Sequence, residues 1–338
     1  MYQEISFPSL GISLNPSRVA FSIGGRNFYW YGVIIAVGFL LAVVYAARRC
    51  KQFGITQDQL IDMLICAVPS AIVCARAYYC IFQWELYKTE PIRVLYIWEG
   101  GLAIYGGIIG AVLAVLIYTK VKKIKTAAML DIGGLGLLIG QSIGRWGNFI
   151  NREAFGRATD SFLRMGLTDV SGITNYVHPT FLYESLWNAL GLLLLHFFSK
   201  KRKYDRQVFV AYLGWYGLGR MFIEGLRTDS LYFFGTNLRI SQLVAGICVV
   251  FAVVFLFYNK VFREYEPEEL YVNQVAALAM ASVVETVSAE ESPLSENTSE
   301  TSSESEEAPE QAPENSEAVS EEEPAPEPPK PEAEEITE

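Results

Sequence analysis

The chain has 338 residues, 51% of them hydrophobic, and a formal net charge of -10. Its apolar residues are gathered into long runs before position 262, which excludes an ordinary soluble domain and reads as a polytopic, all-α integral membrane protein. The net charge conceals two unlike regions, because residues 1–263 hold 26 Lys and Arg against 14 Asp and Glu, whereas residues 264–338 hold 23 Glu and a single Lys.

Residues 1–26 lack a basic start followed by an apolar core and a small-residue cut site, so no cleaved leader is expected there. Apolar windows then follow at 28–47, 60–82, 101–118, 127–143, 180–198, 208–226 and 240–262. Each is close to the roughly 20 residues a helix needs to cross a bilayer core. Seven spanning helices are predicted, since backbone amides in lipid must be paired within their own segment.

Direction follows from charge in the short connections. Arg48, Arg49 and Lys51, then Lys120, Lys122, Lys123 and Lys125, then Lys200, Lys201, Arg202, Lys203 and Arg206 fall on one side, which is therefore cytoplasmic. The N-terminus is then outside, the acidic C-terminal region cytoplasmic, and the long connection at about 146–179 extracytoplasmic. That connection breaks the charge rule, with Arg145, Arg152, Arg157 and Arg164 on the side where few cations belong.

An ionisable residue within a span costs roughly 2.5 to 3.5 kcal/mol on insertion scales, so each is a candidate for function. With the directions above, Arg76, Tyr105, Arg145 and Arg220 all fall in the outer half of the bilayer. Tyr212, Tyr216, Arg220, Glu224 and Arg227 recur every three or four positions along the sixth span and share one helix face. Taken alone, that stripe fits either a structural Arg220–Glu224 pair or a functional site. Gly136, Gly140 and Gly144 form a small-residue ridge leading to Arg145, and Gly106 with Gly110 another after Tyr105, which predicts close helix approach at both. Tyr29, Trp30 and Tyr31 suit an interfacial aromatic belt, and His178, Tyr183 and Glu184 in HPTFLYES complete the polar set on that side.

The five cysteines are odd in number and lie in or beside apolar runs, which makes them packing residues. The two histidines, His178 and His196, fall at opposite ends of one helix, so no metal set is expected. Residues 1–262 form the membrane body. Residues 263–338 are expected to be a largely disordered acidic tail, with a helix allowed near 268–284. No cofactor and no nucleic-acid partner is expected.

Arginines at headgroup depth suit a phosphate, because guanidinium is permanently charged and matches phosphate oxygens in a fork. Asn148 and Asn151 can add hydrogen bonds, and Glu153 or Glu224 can hold an arginine in place. A lipid transporter would also need buried charge, but it usually places that charge at the midplane between repeated halves. A noncatalytic membrane scaffold is a further reading, and it leaves the Tyr216 to Arg227 stripe unexplained.

GRWGNFINREAFGR (144–157) closely resembles the signature of the bacterial prolipoprotein diacylglyceryl transferase family. The likeness extends to FYWYG (28–32), WEGGLAIYGG (98–107), HPTFLYES (178–185) and YGLGRMFIEGLR (216–227). It covers about residues 20–262, and the acidic tail falls outside it. Members of that family move the diacylglyceryl group of phosphatidylglycerol to the lipobox cysteine of a preprolipoprotein, giving a thioether and releasing glycerol phosphate. The resemblance implies that Arg145 and Arg220 bind the lipid phosphate, with Tyr31, Asn148, Glu153, Gly156, Tyr216 and Glu224 supporting the same site. It also implies location in the bacterial plasma membrane among membrane lipids, with the active site toward the outer leaflet. Many members carry histidine where this chain has Tyr105. A tyrosine with an ordinary pKa near 10 is a weak base at neutral pH, so Tyr105 and Arg220 are expected at the reaction centre with Tyr105 positioning substrate.

Overall fold

The computed structural model describes residues 2–228 and 239–290. Helices dominate: α1 (Trp30–Arg49), α2 (Gln57–Phe82), α3 (Ile104–Val121), α4 (Thr126–Asn151), α5 (Thr180–Ser199), α6 (Gln207–Glu224), α7 (Ile240–Phe262) and α8 (Tyr271–Glu290). Six of them, α1 to α5 and α7, are long and apolar enough to cross a membrane by length and composition. The chain is thus a multi-pass membrane protein. The expected seventh span exists as α6 but falls short of that apolar standard. Its polar residues turn inward, with Tyr212 and Glu224 buried.

The fourth helix departs from expectation at its end. Instead of stopping near 143 it runs on through Arg145, Asn148 and Asn151, so most of the polar signature is helical and the connection begins at Arg152. Two small sheets, unforeseen from the sequence, flank this region. Strands β1 (Tyr2–Phe7), β2 (Ile12–Leu14), β5 (Met165–Asp169) and β6 (Thr174–Val177) form an antiparallel sheet in the order β2-β1-β5-β6, while β3 (Val19–Ile23) and β4 (Arg26–Tyr29) make a separate hairpin. Ile5 pairs with Leu167 and Met165 with Val177, and these residues pack with Phe149 and Phe181 in a small buried cluster over the ends of α4 and α5.

Glycines let the helices close on one another. A Cβ at Gly106 or Gly110 would run into the α2 backbone at Cys74 and Ser70, so the α2–α3 pair needs both. The α4 ridge is less uniform. Gly144 lies against Ile35 of α1, but Gly140 has room for a side chain, so the expected three-residue ridge is tight at one position. The closest approach joins α5 to α6. Trp187 and Trp215 stack at 4.3 Å, each indole N–H donates to the other's backbone carbonyl at 2.9 Å, and each ring lies where a Cβ on Gly219 or Gly191 would stand.

At the opposite end of α6, the fully buried Asp131 of α4 accepts hydrogen bonds from the backbone N–H groups of Arg206 and Phe209 at 2.9 and 2.7 Å. Those amides have no partner within the helix, so the carboxylate satisfies them and ties α6 to α4. A helix also follows the membrane body. Tyr271 N–H donates to Asp205, and Lys125 contacts both Asp205 at 3.0 Å and the Glu269 carbonyl at 2.8 Å, which fixes the start of α8. Residues 291–338, expected to be disordered, lie outside the described residues.

Because the paired tryptophans leave no volume at Gly191 or Gly219, Gly219→Ala should force the indole aside at a cost of about 1–3 kcal/mol. The melting temperature in detergent should fall accordingly. An unchanged transition would show that the indole can rotate away freely.

Candidate functional site: three arginines on one buried glutamate

Glu184 lies one turn into α5 and is 4% exposed. Three guanidinium groups reach it from other parts of the chain. Arg145 of α4 pairs with its Oε2, Arg220 of α6 donates to Oε1 at 3.1 Å and to Oε2 at 3.3 Å, and Arg227, just beyond α6, donates to Oε1 at 3.4 Å. Arg220 also approaches Glu224 Oε2 at 2.6 Å, one turn further along its helix, in an ion pair whose angle lies outside hydrogen-bonding geometry. Among the described residues, three cations thus meet two buried carboxylates. With five N–H donors on each guanidinium, Arg145 and Arg220 offer more than the two carboxylates take, so the cluster keeps unused donors.

Local structure explains how these residues meet. Ser142 donates to the Ser185 carbonyl at 2.9 Å and Trp146 donates to the Ser185 hydroxyl at 3.1 Å, which holds α4 against α5 beside Glu184. Gln141 donates to the Tyr212 hydroxyl at 3.0 Å, tying α4 to α6 below the cluster. Gln242 of α7 donates to the Met221 carbonyl at 2.9 Å, next to Arg220.

A second group joins the cluster through Asn148. Arg145 donates to its Oδ1 at 3.4 Å, and its Nδ2 donates to Glu153 Oε1 at 2.9 Å, which Asn151 reaches at 3.3 Å. Glu153 sits between Arg152 and Ala154, both in the left-handed backbone region at φ 56. Such a conformation costs a non-glycine residue on the order of 1–2 kcal/mol. The strain is held from both sides. The buried Arg152 donates to the carbonyls of Gln3, Pro16 and Ile150 and to Asn15, and the Ala154 carbonyl accepts from Thr180 at 2.5 Å. Burial and then the neighbouring Arg18 charge lower the Arg152 pKa from its ordinary value, as suits a cation held by neutral acceptors.

Gly156 completes the turn. Its N–H donates to the His178 carbonyl at 2.9 Å, it bridges to Arg227, and an added Cβ would come within 2.7 Å of the His178 side chain. The backbone of the signature thus packs directly on the segment carrying Arg227, with Arg157 N–H donating to the Leu226 carbonyl at 2.7 Å.

Beside Glu153 a cleft of about 910 Å³ opens between the β3–β4 hairpin, α1 and the end of α4, and Tyr31, Arg18 and Asn151 line it. Tyr31 lies against Gly147, where a Cβ would come within 2.6 Å of the ring.

Of the residues singled out from the sequence, Arg145, Arg220, Glu224, Asn148 and Glu153 form one connected network, and Gly156 and Tyr31 adjoin it. Tyr216 stacks on Tyr212 with ring centres 6.0 Å apart on the same face as Arg220. Tyr105 stands apart. It is 39% exposed in the first turn of α3, and among the described residues its hydroxyl makes no hydrogen bond. Arg76, which the sequence places at similar depth, points elsewhere. It donates to the carbonyls of Arg93, Val94, Gly100 and Gly101 and so secures the α2–α3 connection. Sequence reasoning noticed Glu184 but missed its central place, because one acid in the first turns of an apolar helix has no periodic pattern to mark it. Its only signal was the cost of burying a carboxylate, which demands cations nearby.

The fold and the site together define a polytopic membrane protein with a buried, arginine-rich ionic cluster at one end of its helices. The chain belongs to the prolipoprotein diacylglyceryl transferase family, whose model matches residues 18–258. It is 43% identical over 254 residues to the phosphatidylglycerol--prolipoprotein diacylglyceryl transferase of Bacillus licheniformis, covering 73% of this chain and 93% of that protein. The similarly named proteins of Bacillus cytotoxicus and Lysinibacillus sphaericus are 45% and 40% identical over 251 and 259 residues. Those matches cover 72% and 74% of this chain and 92% and 94% of the relatives.

Removing the carboxylate at the centre should be severe. Glu184→Ala leaves buried guanidiniums facing one another and should destabilise the protein by about 3–5 kcal/mol. Glu184→Gln, which keeps an acceptor oxygen, should lose less. Thermal unfolding in detergent checks both, and equal stability of the alanine variant and the parent would contradict the role given to Glu184.

Proposed function

We propose that this protein transfers the diacylglyceryl group of phosphatidylglycerol to the cysteine thiol in the lipobox of preprolipoprotein signal peptides. The reaction forms a thioether and releases glycerol phosphate, the first step of bacterial lipoprotein maturation. Family membership and the names of the relatives support this reading, and the convergence of Arg145, Arg220 and Arg227 on Glu184 carries it.

The chemistry asks for such a pocket. The thiol sulfur attacks the glycerol carbon that bears the phosphate, the carbon–oxygen bond breaks, and its electron pair stays on the phosphate. Negative charge therefore grows on the leaving group in the transition state. Preorganised cations aimed at that charge lower the barrier more than they strengthen ground-state binding. Arg145 and Arg220 grip the phosphate, Glu184 and Glu224 hold their guanidiniums in place, and Asn148 joins Arg145 to Glu153. Gly156 allows the close backbone approach behind the pocket. Tyr31 and Tyr216 shape its walls, and Tyr105 positions substrate by its hydroxyl. The same positive field favours the thiolate over the thiol, whose ordinary pKa is about 8.5.

The catalytic body is residues 1–262, in the bacterial plasma membrane with its N-terminus outside and its pocket toward the outer leaflet. Residues 263–338 lie on the cytoplasmic side. The concentration of lysine and arginine in the connections after α1, α3 and α5 supports this direction. The lipid substrate is drawn from the surrounding bilayer, and no cofactor takes part.

In vesicles containing phosphatidylglycerol and a lipobox peptide, Arg220→Ala should lower kcat/KM by about 10²–10³, the loss typical for one transition-state donor. Arg220→Lys should not restore it, because a single ammonium cannot reproduce the fork between Glu184 and Glu224. Normal turnover in both variants would remove Arg220 from the mechanism. Tyr105→Phe should retain much of the activity; near-complete loss with lipid binding intact would assign proton transfer to Tyr105 instead.

A further inference from the structure

We infer that Glu153 accepts the thiol proton of the acceptor cysteine; the inference rests on the transfer reaction proposed above. Four observations point to it. Glu153 is presented by strained backbone, with left-handed Arg152 and Ala154 on either side, and both neighbours are held by hydrogen bonds that reach into the N-terminal segment and α5. Strain kept in place in this way is characteristic of groups that act on a substrate.

The carboxylate itself is half engaged. Oε1 accepts from Asn148 and Asn151, while Oε2 makes no hydrogen bond among the described residues and the side chain is exposed. Glu153 is also the only carboxylate among the described residues lining the cleft beside the β3–β4 hairpin and α1. The other two acids of the site, Glu184 and Glu224, are buried and paired with arginine, which leaves neither free to meet an incoming thiol.

The last observation is the spacing. One asparagine side chain touches both Arg145 and Glu153, so the proton acceptor and the phosphate-gripping cation stand on opposite sides of a single amide. A displacement at carbon needs the entering sulfur and the departing oxygen on opposite sides of the reacting centre. On this proposal the sulfur enters from the Glu153 side and the oxygen departs on the Arg145 side. As the carbon–sulfur bond forms, the thiol proton passes to Glu153 Oε2 and then to water. The carbon–oxygen electron pair leaves with glycerol phosphate toward Arg145 and Arg220. The charged and titratable groups that face Glu153 across the cleft are Arg18, Arg152, Tyr29 and Tyr31, with Arg145 behind Asn148. All of them are present in every variant used below, so differences between pH profiles isolate position 153.

The experiment compares the parent, Glu153→Gln and Glu153→Asp in phosphatidylglycerol vesicles, with a cysteine peptide and a selenocysteine peptide of the same sequence. A lost general base typically costs about 10²–10⁴ in rate. Glu153→Gln should fall within that range at pH 7 without a comparable rise in the KM for lipid. Its kcat/KM should climb about tenfold per pH unit toward the thiol pKa near 8.5, because only preformed thiolate now reacts. The parent should show a flatter profile over the same range. A selenol is already ionised at neutral pH, so the selenocysteine peptide should close most of the gap, and Glu153→Asp should keep part of the activity.

If Glu153→Gln loses activity equally for both peptides, with a profile parallel to the parent, Glu153 is a positioning residue and the inference is wrong. Full activity in Glu153→Gln would overturn it as well. An absence of thioether product from the parent protein would instead overturn the transfer reaction itself, which keeps the two failures distinct.

Discussion

Burying Glu184 imposes the constraint around which this end of the protein is arranged. A carboxylate 4% exposed among membrane helices is costly unless cations surround it, and here three arginines do so from α4, α6 and the turn beyond α6. In exchange, the arginines are fixed in position before any substrate arrives. Arg145 and Arg220 keep N–H donors that neither carboxylate takes, and these donors can meet a further anion without rearranging the cluster. The proposed diacylglyceryl transfer directs those donors at the leaving phosphate.

Much of the remaining structure keeps the three contributing segments in register. The Trp187–Trp215 clamp fixes α5 to α6, which carry Glu184 and Arg220, and Asp131 anchors the far end of α6 to α4. The N-terminal strands pack over the ends of α4 and α5 and receive Arg152, so the strained turn at Glu153 is braced by a segment more than a hundred residues away in the chain. The pocket's precision therefore depends on contacts outside it. Loosening any of these braces should move a guanidinium before it unfolds a helix.

The helices and the face of α6 were legible in the sequence because they repeat. Apolar runs of membrane length announce spans, and a polar residue every three or four positions from Tyr212 to Arg227 announces one inward face. Less visible were features that depend on distant partners. The end of α4 looked like a loop because Arg145, Asn148 and Asn151 are polar, yet the helix continues because Glu184 and Glu153 receive those side chains. Arg76 matched the other arginines in depth, but its guanidinium serves backbone carbonyls of a connecting loop. The short N-terminal strands gave little sign of themselves, since β2 and β6 in their sheet hold fewer than five residues each and β1 pairs with β5 from the far side of four helices. The chemistry of the signature was readable through its family resemblance, whereas the central position of Glu184 required the folded geometry.

The most direct test of this account is an experimental structure of the protein with phosphatidylglycerol bound. The lipid phosphate should lie within hydrogen-bonding distance, about 3 Å, of both the Arg145 and Arg220 guanidiniums while Glu184 stays between them. A phosphate seated away from that pair, or one met by a single arginine with the other turned into a separate cavity, would contradict the claim that one buried glutamate assembles the site.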